Sequence, residues 1–215
     1  MDSLVRLVRS LLWFSPFRRY SVYRYQYNFT PQQLAFFVQC LNDTRDVPGD
    51  IFEIGCAAGH TTCYLNQHLR SAGIEKDYYC LDTFRGFVPD DVAFERSRRG
   101  KTADYTGFRV NSLASFNYML GLNGCRRVFP VQGDVKDYKF SRPVSFCLVD
   151  VDLYQPTISS LNNVWPHLSL GGIIVVDDST PNKNFDGAYE AYLEFCKASN
   201  LPETIIHGRL GLIRK

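Results

Sequence analysis

Aspartates recur in this sequence at points where apolar runs end, and carboxylates in such places need partners. Burying an unpaired carboxylate costs several kcal/mol, so a group of them indicates a ligand. Asp177 and Asp178 are adjacent, whereas a helix cap would use only one of them. Because magnesium prefers oxygen ligands, we predict a magnesium site formed by this pair with Asp150 or Asp152. The aspartates that follow apolar runs are Asp82, Asp134, Asp150, Asp152, Asp177 and Asp178.

A glycine-rich turn lies upstream of these aspartates. The sequence Glu-Ile-Gly-Cys-Ala-Ala-Gly occupies residues 53–59, between an apolar run and a helix-like segment. Gly55 and Gly59 would let the backbone come close to a ligand. Such turns bind dinucleotides, phosphates or S-adenosylmethionine, and some are only tight structural turns. The spacing lacks the G-x-G-x-x-G phosphate turn, which disfavours an NAD-dependent dehydrogenase.

The apolar pattern predicts the elements that must position these residues. Apolar strands that alternate with helices form a parallel sheet covered on both faces. Ligands bind such sheets beyond the carboxyl ends of the strands, where the strand order reverses. We therefore expect an α/β doubly wound fold with the aspartates at one edge. The predicted strands are residues 50–55, 78–82, 127–132, 145–151 and 173–177, the predicted helices are residues 31–41, 61–72, 112–122, 156–168 and 186–198, and residues 204–214 form two short strands around Gly208.

Several polar segments near the predicted strands have two interpretations. Asp134 and Asp186 could cap the helices that follow them instead of meeting a ligand. The charged segment 90–101 is a polar loop, either solvated and mobile or a lid ordered by cofactor or substrate. The four histidines lack the mutual spacing of transition-metal ligands. The aromatic residues near the loop that could stack on a sugar or a ring are Phe84, Phe87 and Tyr105.

The chain length of 215 residues suits one domain, which we place at residues 31–215. Residues 1–30 form a basic, aromatic-rich helical extension in which Leu4, Leu7 and Leu11 recur at helical spacing. This helix packs on the domain or on a second subunit of a homodimer, makes weak contact with a membrane surface, or covers the active site.

Composition narrows the class of protein. No apolar run reaches the roughly 18 to 20 residues of a membrane span, and we expect no transmembrane segment. A net charge of +2 gives no global argument for nucleic acid, and we expect no such partner. Seven cysteines without a CxxC pair form neither a disulfide framework nor a zinc knuckle, which favours a reducing, cytoplasmic setting. A cleaved secretory signal is not expected, because arginines interrupt the apolar N-terminal residues.

Four motifs follow one another within residues 50–198. They are Glu-Ile-Gly-Cys-Ala-Ala-Gly at 53–59, Leu-Asp-Thr-Phe-Arg-Gly-Phe at 81–87, Asp-Val-Asp-Leu-Tyr at 150–154 and Gly-Gly-Ile-Ile-Val-Val-Asp-Asp at 171–178. Together they resemble the macrocin O-methyltransferase family of class I, S-adenosylmethionine-dependent enzymes. The resemblance implies a Rossmann-like sheet of seven mostly parallel strands, the class I methyltransferase fold, with the last strands in an antiparallel hairpin.

The resemblance also implies which residues bind the cofactor, S-adenosylmethionine. Gly55 and Gly59 would flank its methionine portion. Asp82 would accept hydrogen bonds from the ribose hydroxyls, and Gly133 and Asp134 would lie beside the adenine. The cofactor-binding residues implied in this way are Glu53, Gly55, Ala57, Gly59, Thr61, Asp82, Thr83, Phe84, Gly133, Asp134 and Asp150.

The metal and the acceptor are implied by the same resemblance. Asp150, Asp177 and Asp178 match the family's magnesium positions, and Asp152 is a candidate fourth ligand. The acceptor would be a sugar hydroxyl on a natural-product type of small molecule. Magnesium on that oxygen would lower the hydroxyl pKa, and a general base would remove the proton. The candidate bases are Asp150, Asp152 and His207. A metal-independent methyltransferase of the same fold and a non-catalytic binding module are the alternatives.

Overall fold

The computed structural model describes residues 2–18, 25, 27–182 and 185–215. Seven α-helices and seven strands alternate along these residues. The helices are α1 (Asp2–Trp13), α2 (Pro31–Asp43), α3 (His60–Ser71), α4 (Pro89–Arg98), α5 (Leu113–Leu122), α6 (Tyr154–Val164) and α7 (Gly187–Ala198). The strands are β1 (Asp50–Ile54), β2 (Tyr78–Asp82), β3 (Val128–Gln132), β4 (Val144–Val149), β5 (Leu168–Val176), β6 (Ile205–Ile206) and β7 (Leu210–Arg214).

The described strands form one sheet in the order β3-β2-β1-β4-β5-β7-β6. Neighbours among β1 to β5 run parallel, whereas β7 lies antiparallel to both β5 and β6. The doubly wound α/β fold and its terminal antiparallel hairpin are thus confirmed. The chain winds outward from β1 to β3 and then returns to β4 on the other side of β1. The strand order therefore reverses between β1 and β4, where a ligand crevice is expected.

Side chains of the central strands fill an apolar layer on each face of the sheet. On one face Ile51 and Leu148 pack with residues of α2, α3 and α5. On the other face Phe52 and Cys147 pack with residues of α6 and α7. Every residue of β4 is buried, because successive side chains point to opposite faces and both faces are covered. This two-sided burial explains the continuous apolar runs in the sequence.

Helix α2 begins where the sequence predicts, at a reciprocal cap. The backbone N–H of Gln33 donates to Thr30 Oγ1 at 3.3 Å, and the Thr30 N–H donates to Gln33 Oε1 at 2.8 Å. Pro31 fills the first helical position, where a missing N–H costs nothing. Gln33 Nε2 also donates to the His207 carbonyl oxygen at 2.9 Å. The start of α2 is therefore tied to the turn between β6 and β7.

The prediction of a polar loop at residues 90–101 is wrong, because α4 occupies most of that segment. Pro89 begins the helix, and acids follow in its first turn, where the helix dipole favours them. The buried side chains of α4 are Asp91 and Glu95. A helix that buries acids instead of apolar residues lacks the periodic stripe by which helices are recognised in a sequence.

Ion pairs hold α4 against α7. Arg99 Nη1 lies 2.5 Å from Glu95 Oε2, and Arg99 Nη2 lies 2.7 Å from Asp186 Oδ1. Lys101 Nζ lies 2.7 Å from Asp186 Oδ2. Asp186 stands at the N-cap position of α7 but makes no capping hydrogen bond with its side chain, so the capping interpretation is wrong. We call these residues the helix cluster, which comprises Glu95, Arg99, Lys101, Asp186 and Glu190.

Two boundaries differ from the sequence prediction near β5. The strand was predicted at residues 173–177, but it already begins at Leu168 and runs through Gly171 and Gly172 to Val176. Gly171 has φ of +82°, and the register between β4 and β5 shifts close to this bulge-like stretch. The helix predicted at residues 156–168 ends at Val164 and is followed by a 3₁₀ turn.

Helix α1 has the predicted helical form, but its apolar stripe is uncovered. Leu4, Leu7 and Leu11 are 66%, 56% and 65% exposed, so they do not pack on the described part of the domain. Residues 19–24 and 26 of the predicted extension lie outside the described residues. None of the helices in the described ranges is both long and apolar enough to cross a bilayer.

Candidate active site

Two adjoining cavities open at the carboxyl ends of the parallel strands. The one with about 300 Å³ is lined by the ends of β1, β2 and β4 and by the residues after β5. The one with about 240 Å³ lies along the glycine turn and the first residues of α3. We call them the larger and the smaller cavity. Both lie at the reversal of strand order, where the fold predicts a ligand site.

The glycines of the turn are required by the protein's own packing. Gly55 has φ of +85°, and a Cβ there would lie 1.9 Å from the Asp150 carbonyl oxygen. Gly59 has φ of +79°, and its Cβ would lie 2.2 Å from Met119 Cε. Only glycine adopts these positions without strain. The sequence interpretation assigned this close approach to a ligand, whereas the structure assigns it to neighbouring protein atoms, while the turn still lines the smaller cavity.

Asp82 joins the end of β2 to the glycine turn. Its Oδ2 accepts hydrogen bonds from the backbone N–H groups of Cys56 and Ala57, both at 2.9 Å. Its Oδ1 accepts from the Phe84 N–H at 2.7 Å. Asp82 also lines the larger cavity. Because a carboxylate has about four lone-pair sites, Asp82 still has acceptor capacity for hydroxyl groups.

Two predicted cofactor residues lie partly or wholly in the core. Glu53 is buried, and its Oε2 accepts from Thr62 Oγ1 at 2.6 Å and Tyr78 Oη at 2.7 Å. Burial raises the pKa of Glu53 to about 7. Glu53 borders the smaller cavity, but Phe84 is 1% exposed, packs on Phe116 and lines neither cavity. Phe84 is therefore part of the core and not of a cavity wall.

The other predicted cofactor residues surround the cavities. Ala57, Gly55 and Asp150 line both of them, and Thr61 and Gly59 line the smaller one.

The remaining predicted cofactor-binding residues line the larger cavity. They are Thr83, Gly133 and Asp134. Asp134 Oδ1 accepts from the Lys136 N–H at 2.9 Å, a two-residue Asx contact and not a helix cap. Its Oδ2 also lies 3.2 Å from Lys136 Nζ.

Four aspartates converge on the larger cavity, and we call them the rim cluster: Asp150, Asp152, Asp177 and Asp178. Burial and the charges of the neighbouring aspartates raise the pKa of Asp150 well above its usual value. Burial and the charge of Asp178 raise the pKa of Asp152 to about 8. Burial raises the pKa of Asp177 to about 7, although Arg209 opposes this shift. Negative charge is thus in excess at this rim.

Arg209 lines the larger cavity, and sequence reasoning did not predict it there. Its Nη1 donates to Asp178 Oδ1 at 2.7 Å, and its Nη2 lies 3.0 Å from Asp177 Oδ2. It comes from the turn between β6 and β7, 31 residues beyond Asp178 in the chain. No spacing signal links an arginine to acids at that distance, so only the antiparallel hairpin brings them together.

Some features of the rim cluster agree with the predicted magnesium site and others do not. Carboxylates are suitable magnesium ligands, and Asp177 Oδ1 is buried with no hydrogen-bond partner among the described residues. However, Arg209 contacts the other oxygen of Asp177 and one oxygen of Asp178. In the described ranges, no group of three or more histidine, cysteine or acidic residues is arranged to hold a metal ion. The donor chemistry fits magnesium, while the positive charge in place is a guanidinium.

The positions of His207 and of the aromatic residues relative to the two cavities test the predictions made for them. The ring of His207 lies 5.1 Å from that of Phe36, and His207 lines neither cavity, so it is not placed to act as a base. Tyr105 is 3% exposed and packs in the core. Phe87 lines the larger cavity, where the sequence predicted an aromatic contact. Three residues without a sequence signal line both cavities: Asn28, Phe108 and Asn111.

Comparison with protein families matches residues 52–179 to a methyltransferase domain. The demethyldecarbamoylnovobiocin O-methyltransferase of Streptomyces niveus is 29% identical in an alignment 159 residues long that covers 65% of this chain and 57% of that protein. The 8-demethyl-8-(2,3-dimethoxy-alpha-L-rhamnosyl)-tetracenomycin-C 4'-O-methyltransferase of Streptomyces olivaceus is 30% identical in an alignment 143 residues long that covers 61% of this chain and 53% of that protein. The chain thus spans little more than half the length of these curated relatives.

Solved structures share the fold. The O-methyltransferase NovP superposes with a TM-score of 0.70 at 20% identity, covering 86% of this chain and 79% of its own. The calicheamicin methyltransferase CalS11 superposes with a TM-score of 0.69 at 21% identity, covering 99% and 91%. With the sheet order described above and a domain match over more than half of its length, the chain belongs to the methyltransferase family and has the class I, Rossmann-like methyltransferase fold.

Proposed function

We propose that this chain is an S-adenosylmethionine-dependent O-methyltransferase acting on a hydroxyl of a sugar or of a similar natural-product small molecule. The observation that carries the proposal is the pair of adjoining cavities, one along the glycine turn and one bordered by the rim cluster. One relative is named for 4'-O-methylation of a rhamnosyl tetracenomycin. A protein of similar fold is described as a TDP-rhamnose 3'-O-methyltransferase. These names support a sugar hydroxyl as acceptor.

The cofactor would lie across both cavities. Bound S-adenosylmethionine supplies an electrophilic methyl group on a sulfonium centre. The smaller cavity is suited to its methionine portion, because the glycine turn and Thr61 line it. Asp82 is suited to the ribose, since its oxygens keep acceptor capacity toward the larger cavity. Gly133 and Asp134 would border the adenine, and Thr83 would lie between them and the ribose.

Asp150 and Asp152 are the proposed general bases. Both border the larger cavity, and Asp150 also borders the smaller one. The pKa of each is raised above that of an ordinary aspartate, which makes each carboxylate a stronger proton acceptor. The aspartate would take the hydroxyl proton as the acceptor oxygen becomes methylated. The cavity walls contribute by aligning the acceptor with the methyl group.

Magnesium assistance is the finer part of this proposal. Asp150, Asp177 and Asp178 would hold the ion, with Asp152 a candidate fourth ligand. Bound magnesium supplies Lewis acidity, which lowers the pKa of a coordinated hydroxyl. The buried, unpartnered Asp177 Oδ1 supports such a ligand. The contacts of Arg209 with the same pair of aspartates favour the second candidate, a methyltransferase that works without a metal.

The remaining parts of the proposal concern the whole chain. Residues 31–215 would form the methyltransferase domain, of the macrocin O-methyltransferase type. Residues 1–30 would be an extension that contacts a second subunit or a membrane surface. All seven cysteines are free thiols, which supports a reducing, cytoplasmic compartment.

Isothermal titration of S-adenosylmethionine and S-adenosylhomocysteine into the purified full chain tests the proposal. We expect binding of both by the unmodified protein and loss of both in Asp82→Ala. Asp137→Ala is a matched control, because Asp137 is an exposed aspartate in the turn just after Asp134. Absence of binding by the unmodified protein, with and without added magnesium, would overturn the methyltransferase proposal and favour a binding module. Equal binding by Asp82→Ala would overturn the role of Asp82.

A further inference from the structure

Arg209 makes four different contacts at one point of the larger cavity. Its guanidinium pairs with Asp177 and Asp178 on one side. On the other side Nη2 donates to the Asn28 carbonyl oxygen at 3.0 Å, and the guanidinium lies 5.2 Å from the centre of the Phe29 ring. Arg209 therefore links the acids after β5 to the segment that precedes α2.

The charges around Arg209 are unbalanced. Four carboxylates of the rim cluster border the cavity, and within the described residues Arg209 is the cation that pairs with two of them, Asp177 and Asp178. Arg209 reaches one oxygen of Asp177, while the other, Oδ1, is buried and has no partner in the described chain. Asp177 is 3% exposed, so water does not solvate this oxygen freely. The cluster thus retains a buried carboxylate oxygen that the arginine does not reach.

We propose that Arg209 is the resident cation of the rim cluster, and that a divalent metal ion enters only by displacing its guanidinium from Asp177 and Asp178. This inference rests on the proposed magnesium-assisted function. Magnesium needs carboxylate oxygens at about 2.0 to 2.1 Å in octahedral geometry. The guanidinium hydrogen-bonds oxygens of the same two residues, and two cations at one carboxylate pair repel each other. Arg209 therefore sets the metal affinity of the site.

Displacement would also change the cavity wall. Asn28 lines both cavities, and its carbonyl loses a charged donor when Arg209 moves away. Phe29 is buried and keeps its packing on Phe37, 4.8 Å between ring centres. The loosened part is thus Asn28, at the junction of the two cavities. Metal entry is in this way coupled to the mobility of a residue on the path between cofactor and acceptor.

Binding of Mn²⁺ to the full chain, without cofactor or acceptor, tests the proposal. Isothermal titration and electron paramagnetic resonance of free Mn²⁺ would compare the unmodified protein, Arg209→Met and Arg209→Lys. We expect at least tenfold tighter Mn²⁺ binding by Arg209→Met, because the competing charge is gone. Arg209→Lys should bind with intermediate affinity, since lysine keeps the charge but loses the bidentate fork. Arg214→Met is the control, because Arg214 lies in the same hairpin, at the end of β7, but is half-exposed and lines neither cavity.

The proposal would be overturned if Arg209→Met bound Mn²⁺ no more tightly than the unmodified protein does. It would also be overturned if neither Arg209→Met nor the unmodified protein bound Mn²⁺. Titration of S-adenosylmethionine into the same variants separates this failure from failure of the methyltransferase proposal, because the cofactor residues are unchanged. If Arg209→Met does not fold, Arg209→Lys tests the proposal instead, and we expect it to bind Mn²⁺ more tightly than the unmodified protein does. In the unmodified protein, Mn²⁺ should also speed hydrogen exchange in peptides that cover residues 27–33. Unchanged exchange at saturating Mn²⁺ would contradict the coupling to Asn28.

Discussion

The rim cluster and the helix cluster are both built from buried or half-buried acids, yet they differ in charge balance. The rim cluster has four aspartates beside Arg209. The helix cluster has three acids, Glu95, Asp186 and Glu190, around Arg99 and Lys101. The first borders a cavity, whereas the second joins two helices.

Their pKa shifts have opposite directions. Burial acts to raise the pKa of Asp186, but hydrogen bonds from Lys101 and Arg99 outweigh it and hold the pKa below its usual value. At the rim, burial and neighbouring charges prevail and raise the pKa of Asp152 to about 8. Acids with sufficient cations stabilise a fold, while acids in excess at a cavity are available for a ligand or a proton. The number of cations that pair with the acids therefore distinguishes a cluster that stabilises the fold from one that is available for a ligand or a proton.

The strongest way to test this contrast is to remove a rim charge. Asp150→Asn should lower kcat for methyl transfer by on the order of 10³-fold, because a proton acceptor at both cavities is lost. The same variant should raise the free energy of unfolding by about 1 kcal/mol, because a neutral amide avoids the cost of burying a carboxyl group beside other aspartates. Transfer from labelled S-adenosylmethionine to glycosylated acceptors and thermal unfolding in chelator measure the two effects. Full activity, or a loss of stability, would contradict the role assigned to the rim.

The converse change removes Arg99, one of the two cations of the helix cluster. Arg99→Met should lower the free energy of unfolding by about 3 kcal/mol, because buried acids lose their partner. Cofactor binding to the folded fraction should persist, since Arg99 lines neither cavity. Urea unfolding measures the stability, with exposed Arg98→Met as the matched control. A decrease equal to that of Arg98→Met would show that α4 is held by other contacts.

The smallest expected effect is a difference in pH dependence. Asp152 and Asp177 have folded pKa values of about 8 and about 7, above the usual value of about 3.9. Their contribution to stability is complete below about pH 4 and is lost as the pH rises through those folded values. Asp186 has a lowered pKa, so its contribution is present above about pH 4 and is lost as the pH falls through its folded value.

Thermal unfolding in chelator from about pH 3 to about pH 9 measures both branches. Asp152→Asn should reduce the loss of stability between about pH 6 and about pH 8 by about 2 kcal/mol. Asp186→Asn should instead reduce the loss of stability that occurs as the pH falls below about 4. Equal slopes for Asp152→Asn and the unmodified protein on the alkaline side would show that Asp152 titrates as it does in the unfolded chain.

Most of the fold was predictable from the sequence, because two-sided burial leaves continuous apolar runs that periodic patterns detect. The five parallel strands were found in this way. Helix α4 was not, since Asp91 and Glu95 occupy its buried positions. Lys136, which pairs with Asp91, lies 45 residues away in the chain, and the i,i+4 spacing of Glu95 and Arg99 does not by itself show that the acid is buried. A helix docked by ion pairs is visible only when its partners are in place.

The candidate site divides in the same way. The sequence by itself determined which residue types stand at the strand ends, the glycine turn and the aspartates, because a parallel sheet places every strand end at one edge. Only the tertiary structure decided that Gly55 accommodates the Asp150 carbonyl, that His207 faces Phe36 and that Arg209 meets the rim. These contacts join segments far apart in the chain, and their distances depend on how the hairpin and the helices pack. Local pattern carries no information about such distances.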